Sequence, residues 1–325
     1  EESMNASTLR KLAPAVVLTA GLTAASGAFA IDEVRIIAPA NPGGGWDQTA
    51  RSMQEVMQSG GIVKSATVEN VPGAGGTIGL AQLADKEKGN PNVLMVNGLV
   101  MVGAILTNQS AVTLEQTTPI ARLTGEYEVV VVPAASEIQN LGQLIEKLKA
   151  DTGAVAWGGG SAGGTDHILA GLIAQAAGAD ATKINYVPFS GGGEALAAIL
   201  GGHVTAGISG LGEWVGQIEA GELRALAISS PERLEGVDIP TLKEQGVDVE
   251  LANWRAVVAA PGLDDAQKKE LVGAVDAMAK SDGWKKVLAD KGWMDLYMSG
   301  DEFAKYLADE NERVSAILKT LGLVS

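Results

Sequence analysis

Cysteine is absent from the 325 residues, which excludes disulfides, thiolate metal sites and a cysteine nucleophile. Histidine occurs only at His167 and His203, too few for a histidine-rich metal centre, and no acidic loop has the spacing of a helix-loop-helix calcium site. Aromatic residues are scarce, at 4%. Basic residues are outnumbered, 24 Lys and Arg against 39 Asp and Glu, for a net charge of −15 with no basic stripe. That balance repels a phosphate backbone and argues against nucleic acid as a partner. It also offers no long-range attraction to small anions, so an anion has to be held by local amides and a few placed side chains. Beyond the N-terminal region no run is apolar enough to span a bilayer.

What is present is a folding chain rich in small residues. Hydrophobic residues make up 46% and glycine occurs 42 times, enough core for one large or two medium domains. The N-terminus reads as an address. Arg10 and Lys11 follow Met4, an apolar run fills 12–27, and Ala28-Phe29-Ala30 supplies an A-x-A site. This is the pattern of a secretory signal peptide over 1–30, with a short upstream scar before Met4, and it implies a periplasmic protein starting at Ile31.

From there, strand-like runs and helical periodicity alternate. Strands are expected over 34–40, 67–71 and 92–96, with helices over 47–58 and 76–84 between them, then strands over 118–124 and 127–133. A second series follows: helix 140–150, strand 154–157, helix 167–177, strand 184–188, helix 194–200, strand 204–208, helix 213–220 and strand 223–229. A strand over 252–260 is cut by Pro261, and the remainder reads as helices over 264–281, 283–291 and 301–321. Two β-α series predict an α/β protein of two lobes, each a mainly parallel sheet flanked by helices, with a ligand cleft between them. The expected division is 31–131 plus 254–325 against 132–253. The crossings near Val131 and Asn253 are strand-like, which suits a hinge.

Four glycine-rich loops join a strand to a helix: 41–47 (NPGGGWD), 70–79 (NVPGAGGTIG), 158–164 (GGGSAGG) and 189–193 (FSGGG). Such a loop exposes backbone N–H groups, and the helix start behind it carries partial positive charge, so together they hold an anion without Lys or Arg. In open α/β sheets, ligands sit at these carboxyl ends of strands.

The other motifs weigh less. Residues 158–163 satisfy G-x-G-x-x-G, but the next strand ends in Pro188-Phe189-Ser190 with no acid for a ribose, which disfavours a dinucleotide. Residues 159–163 satisfy G-x-S-x-G, yet the only downstream base is His203, without an evident acid partner. Ser161 therefore reads as a hydroxyl contact or a helix cap rather than a nucleophile. Asp47 is balanced between helping its own helix and ordering the loop or a ligand. Trp46, Trp157, Trp214 and Trp254 read as core filling near strand ends. Arg122, Arg224 and Arg255 are the best-placed cations for a ligand carboxylate, each weighed against an ordinary ion pair.

Taken in order, APANPGGGWDQTAR, ENVPGAGGTIG, SAGGTDH, YVPFSGGGEALAAILGGHV and NWRAVVAAPGL resemble the periplasmic substrate-binding proteins of tripartite tricarboxylate transporters, the Bug receptors, over essentially the whole mature chain. The resemblance implies a two-lobed periplasmic-binding-protein-like (type II) fold that closes on a small carboxylate and needs no cofactor or metal. It carries over Pro42, Gly43, Gly44, Gly45, Trp46 and Asp47 from the first loop, Asn97 and Gly98 from the third strand, Ser161, Ala162 and Thr165, and Phe189, Ser190 and Gly191. The Gly-Gly-Gly-Trp-Asp and Asn-Trp-Arg variants look closest to the tricarboxylate-receptor branch and point toward citrate-like ligands. Thr205 stands where relatives commonly have an acid after Gly-Gly-His-Val. The implied partners are the ligand and the membrane permease subunits, with the receptor itself a monomer. The rival readings are an exported hydrolase using Ser161 and a ligand-sensing co-receptor for a signalling partner.

Overall fold

The structure is a computed structural model and describes residues 31–325; the expected signal peptide lies outside them. The first series is β1 (Ile31–Ala38), α1 (Gly45–Ser59), β2 (Val63–Asn70), α2 (Thr77–Lys86), β3 (Val93–Gly98) and α3 (Leu99–Thr107). β1 pairs in parallel with β2 and β3. α1 lies on them through Ala50, Met53, Val56 and Met57, all buried at helical spacing.

β4 (Thr118–Pro133) leads to the second series: α4 (Leu141–Ala150), β5 (Ala156–Gly159), α5 (Thr165–Ala176), β6 (Asn185–Pro188), α6 (Gly192–Leu200), β7 (Ala206–Gly210), α7 (Leu211–Glu219) and β8 (Leu223–Ile228). β5 pairs in parallel with β6 and β7. The chain returns on β9 (Ala252–Ala259) and finishes with α8 (Asp265–Ala279), α9 (Asp282–Lys291), β10 (Met294–Ser299) and α10 (Gly300–Thr320).

β4 ties the two lobes together. Thr118–Tyr127 pair with β9 and, over part of that length, with β10, whereas Glu128–Pro133 pair with β7 and β8. The sequence suggests two strands here, split around Gly125. The strand runs through because Gly125 is a packing glycine rather than a turn: a Cβ there would meet Leu296 Cδ1 at 2.7 Å and Asn253 O at 3.2 Å. At the crossing, the Ser229 hydroxyl donates to Leu251 O at 2.6 Å and accepts from the Glu128 N–H at 2.9 Å. It stitches both crossing strands to one point.

Three further expectations change. The sheets are mixed rather than mainly parallel, since β4 and β9 run antiparallel to their neighbours. A strand that carries the chain back across must oppose the one that brought it over. β10 emerges within a tail expected to be helical, pairing with β4. α3 has no counterpart among the expected helices. Leu99, Met101, Val102, Gly103, Ala104 and Ile105 are all buried, so it shows no polar face and no amphipathic period. Trp157, Trp214 and Trp254 fill the core as expected.

Candidate binding site

A cavity of about 630 Å³ opens where the strand ends of both series meet, within the range of small-ligand sites. All four glycine loops reach it. Gly44 and Gly45, Pro72 to Gly76, Gly160 to Ala162, and Phe189 to Gly191 contribute to its wall.

The helices behind these loops share a feature. α1, α2, α5 and α6 have glycine at the N-cap (Gly44, Gly76, Gly164 and Gly191), and none has a side-chain cap. Of the other helices, α4, α8 and α9 are capped by Asn140, Asp264 and Ser281, whereas α3, α7 and α10 have no side-chain cap. An uncapped helix leaves its first N–H groups without side-chain partners, and here four such starts line one cavity.

First-turn side chains shape the loops instead. Asp47 Oδ2 accepts from the Gly43 N–H at 2.8 Å, Glu194 Oε2 from the Ser190 N–H at 3.1 Å, and His167 Nδ1 from the Gly163 N–H at 3.1 Å. Each bond spans four residues, so one device recurs in three loops. Asp47 also accepts from Arg51 Nε at 2.9 Å and Asn70 Nδ2 at 2.8 Å. Burial pushes the Asp47 carboxyl up, but these bonds outweigh it and hold it below its ordinary value.

Charge in the cavity sits at one end. Arg255, 3% exposed, pairs through Nη2 with Glu126 and lies 4.9 Å from the Trp293 ring centre. Its Nη1 is buried without a partner, as is Thr165 Oγ1, and both residues line the cavity. Gly45 is small because Arg255 lies against it: a Cβ there would come within 2.8 Å of the guanidinium carbon. Asp166 and Glu213 line the same region, with Glu128 fully buried behind. Burial pushes Glu213 up to about 7, Asp166 up to about 6, and Glu128 well above its ordinary value. Burial also lowers His167 to about 4, so it is neutral at pH 7. Tyr186 stacks on it at 4.1 Å and donates to Gly160 O at 2.9 Å. Among the described residues no group of His, Asp and Glu is arranged to hold a metal ion.

Of the residues singled out in the sequence, Gly44, Gly45, Trp46, Ser161, Ala162, Thr165, Phe189, Ser190 and Gly191 line the cavity. Pro42, Gly43, Asp47, Asn97 and Gly98 are not part of the lining. Asp47 orders the first loop from behind. Asn97 is fully buried with both amide atoms unpartnered, and Gly98 lets β3 approach the Trp254 carbonyl. Neither histidine lines the cavity. Of the three arginines, only Arg255 reaches it. Arg122 donates to Leu296 O and stacks on Tyr306, and Arg224 donates to the carbonyls of Ala134, Ser136 and Ile138. Sequence reasoning missed Glu126, Glu128, Asp166 and Glu213. The available signal was acids set beside apolar strand runs or in the first turn of a helix after a glycine loop.

Comparison with known proteins bears on the same site. Residues 49–323 match the model of the tripartite tricarboxylate transporter family receptor. The chain is 28% identical to Protein BugT of Bordetella pertussis, covering 98% of this chain and 99% of BugT. In structure it is similar to the periplasmic binding protein BugD, with a TM-score of 0.80 at 21% identity over 90% of this chain and 98% of BugD. It is also similar to an R. palustris protein solved with adipate, with a TM-score of 0.79 at 23% identity over 90% of this chain and 97% of that one. These likenesses bear out the two-lobed α/β fold.

Proposed function

The chain belongs to the tripartite tricarboxylate transporter receptor family, and from that premise we propose that it captures one small carboxylate in the cavity between its lobes and hands it to a membrane permease. Members of this family are solute-binding receptors rather than enzymes. The observation that carries the ligand class is the convergence of four uncapped helix starts on one cavity that Arg255 also lines. Charge-assisted hydrogen bonds contribute about 1.5–3 kcal/mol each, so a few reach about −8 kcal/mol, near micromolar, after ordering costs. The adipate bound by a structural neighbour supports the same class.

Within that class, di- and tricarboxylates of citrate size come first, since the cavity of about 630 Å³ has room for them and four loops can serve more than one carboxylate. The receptor works as a monomer in the periplasm after its signal peptide is removed. No helix among the described residues is long and apolar enough to cross a membrane. The lobes divide where β4 changes partners, between Tyr127 and Glu128, and again before β9 at Ala252. Closure about those crossings presents both lobes to the permease. A sensing role with the same ligand would use the same closed surface.

The test is a thermal-shift panel of citrate, malate, adipate and neutral analogues, after unfolding and refolding to strip bound ligand. A ligand at a hundred times its Kd adds about 2.7 kcal/mol. The expected result is a rise of several degrees with at least one carboxylate and none with its neutral analogue. No rise with any carboxylate contradicts the function.

A further inference from the structure

The charged end of the cavity holds more acid than its one arginine can balance. Glu126 from β4 is matched by Arg255 from β9. Glu128 from β4, Asp166 from α5 and Glu213 from α7 form no ion pair among the described residues. Glu128 is fully buried with neither carboxylate oxygen given a hydrogen-bond partner, and Asp166 accepts from the Gly160 N–H at 2.6 Å. Glu213 and Ser209 of β7 both pack against Gly192 of α6. Glu194 of α6, on the same wall, is taken up by the Ser190 N–H.

A ligand carboxylate placed beside Arg255 therefore enters a space already shared by acids. Two neighbouring carboxylates do not both stay ionised in such a site. A carboxyl kept neutral there becomes a hydrogen-bond donor. Building on the carboxylate-receptor reading, we propose that the protein takes up a proton from solvent with its ligand, that the proton resides on Glu213, and that the neutral Glu213 carboxyl donates to the bound carboxylate.

The direction of the pH effect follows. Burial already pushes Glu213 up to about 7, and an anion beside it pushes further. Between the free and the bound value, the complex holds the extra proton. Affinity is then flat below about pH 7 and falls as pH rises above it, by up to about tenfold per unit for one proton. The acids of the cavity thus become part of anion recognition.

The experiment is calorimetric titration of the protein with adipate, malate and citrate at pH 7.5, in two buffers of different ionisation enthalpy, repeated from pH 6.5 to 8.5. The expected result is uptake of a substantial fraction of one proton per ligand. Glu213→Gln, with a neutral donor in place, is expected to take up none and to bind more tightly than the wild type at pH 8.5. Wild-type binding without proton uptake and with pH-independent affinity overturns the inference while leaving the receptor function standing. Uptake undiminished in Glu213→Gln overturns the assignment to Glu213. No binding at any pH overturns the function and the inference together. The wild-type measurement decides the main point whether or not the variant folds.

Discussion

Gly103→Val abolishes tight ligand capture and leaves the fold intact. α3 of the first lobe meets the loop before α5 of the second through two glycines. A Cβ on Gly103 would overlap the Gly163 carbonyl oxygen and lie 2.9 Å from its carbon. Gly163 has φ +73, and a Cβ there would strike Thr107 of the same helix. Thr107 and Asn108 at the end of α3 reach over to Ala162 O and Ala74 O, so this contact closes one side of the cavity. A branched side chain at 103 holds the lobes apart, and a ligand then touches only one set of loops. Losing one lobe's hydrogen bonds costs at least about 3 kcal/mol, more than a hundredfold in Kd. The unliganded melting temperature changes little, because neither lobe has to repack around the new side chain once they separate. Calorimetry and circular dichroism check the two halves of this statement. Wild-type affinity in a folded Gly103→Val protein contradicts the account of closure.

Arg255→Met destabilises the protein by about 3–5 kcal/mol, because it leaves the Glu126 carboxylate buried without its partner. Glu126 is 3% exposed and Arg255 likewise, so water does not replace the lost cation. Glu126 is also confined by the backbone: a Cβ on Gly210 would sit 2.5–2.6 Å from its oxygens, which leaves it no room to swing out. Adding Glu126→Gln to Arg255→Met returns most of the stability, since the uncompensated charge is gone. It does not return binding, because the cation facing the cavity is still missing. Urea unfolding of the two single variants and the double variant measures the coupling. A cost below about 1 kcal/mol for Arg255→Met places the pair in an environment like that of a surface bridge and removes the electrostatic floor from the account.

The four loops are legible in the sequence for a physical reason. Glycine runs between an apolar strand and an amphipathic helix have few conformational alternatives, and each of the four lines the cavity. The core helices are legible wherever one face meets water, as in α1 with Ala50, Met53 and Val56 buried. α3 is hidden because both of its faces are covered.

The charged floor is hidden for a different reason. Glu126, Glu128 and Arg255 stand in apolar strands, and only register brings them together. β4 and β9 shift register between Pro119 and Ala121 and again between Arg122 and Thr124. Each shift re-aims the side chains beyond it, and no local pattern announces such a bulge. Asp47 shows the limit of reading residue by residue. Its place in the first helical turn is evident, yet its role, fastening Gly43, Arg51 and Asn70, depends on partners up to 23 residues away.

The measurement closest to the central claim is calorimetric titration of the stripped and refolded protein with citrate, malate and adipate, followed by recovery of the ligand. The account predicts one site per chain, a Kd near micromolar for at least one of them, and the compound recovered unchanged. Absence of binding to every carboxylate, or conversion of the bound compound, contradicts it.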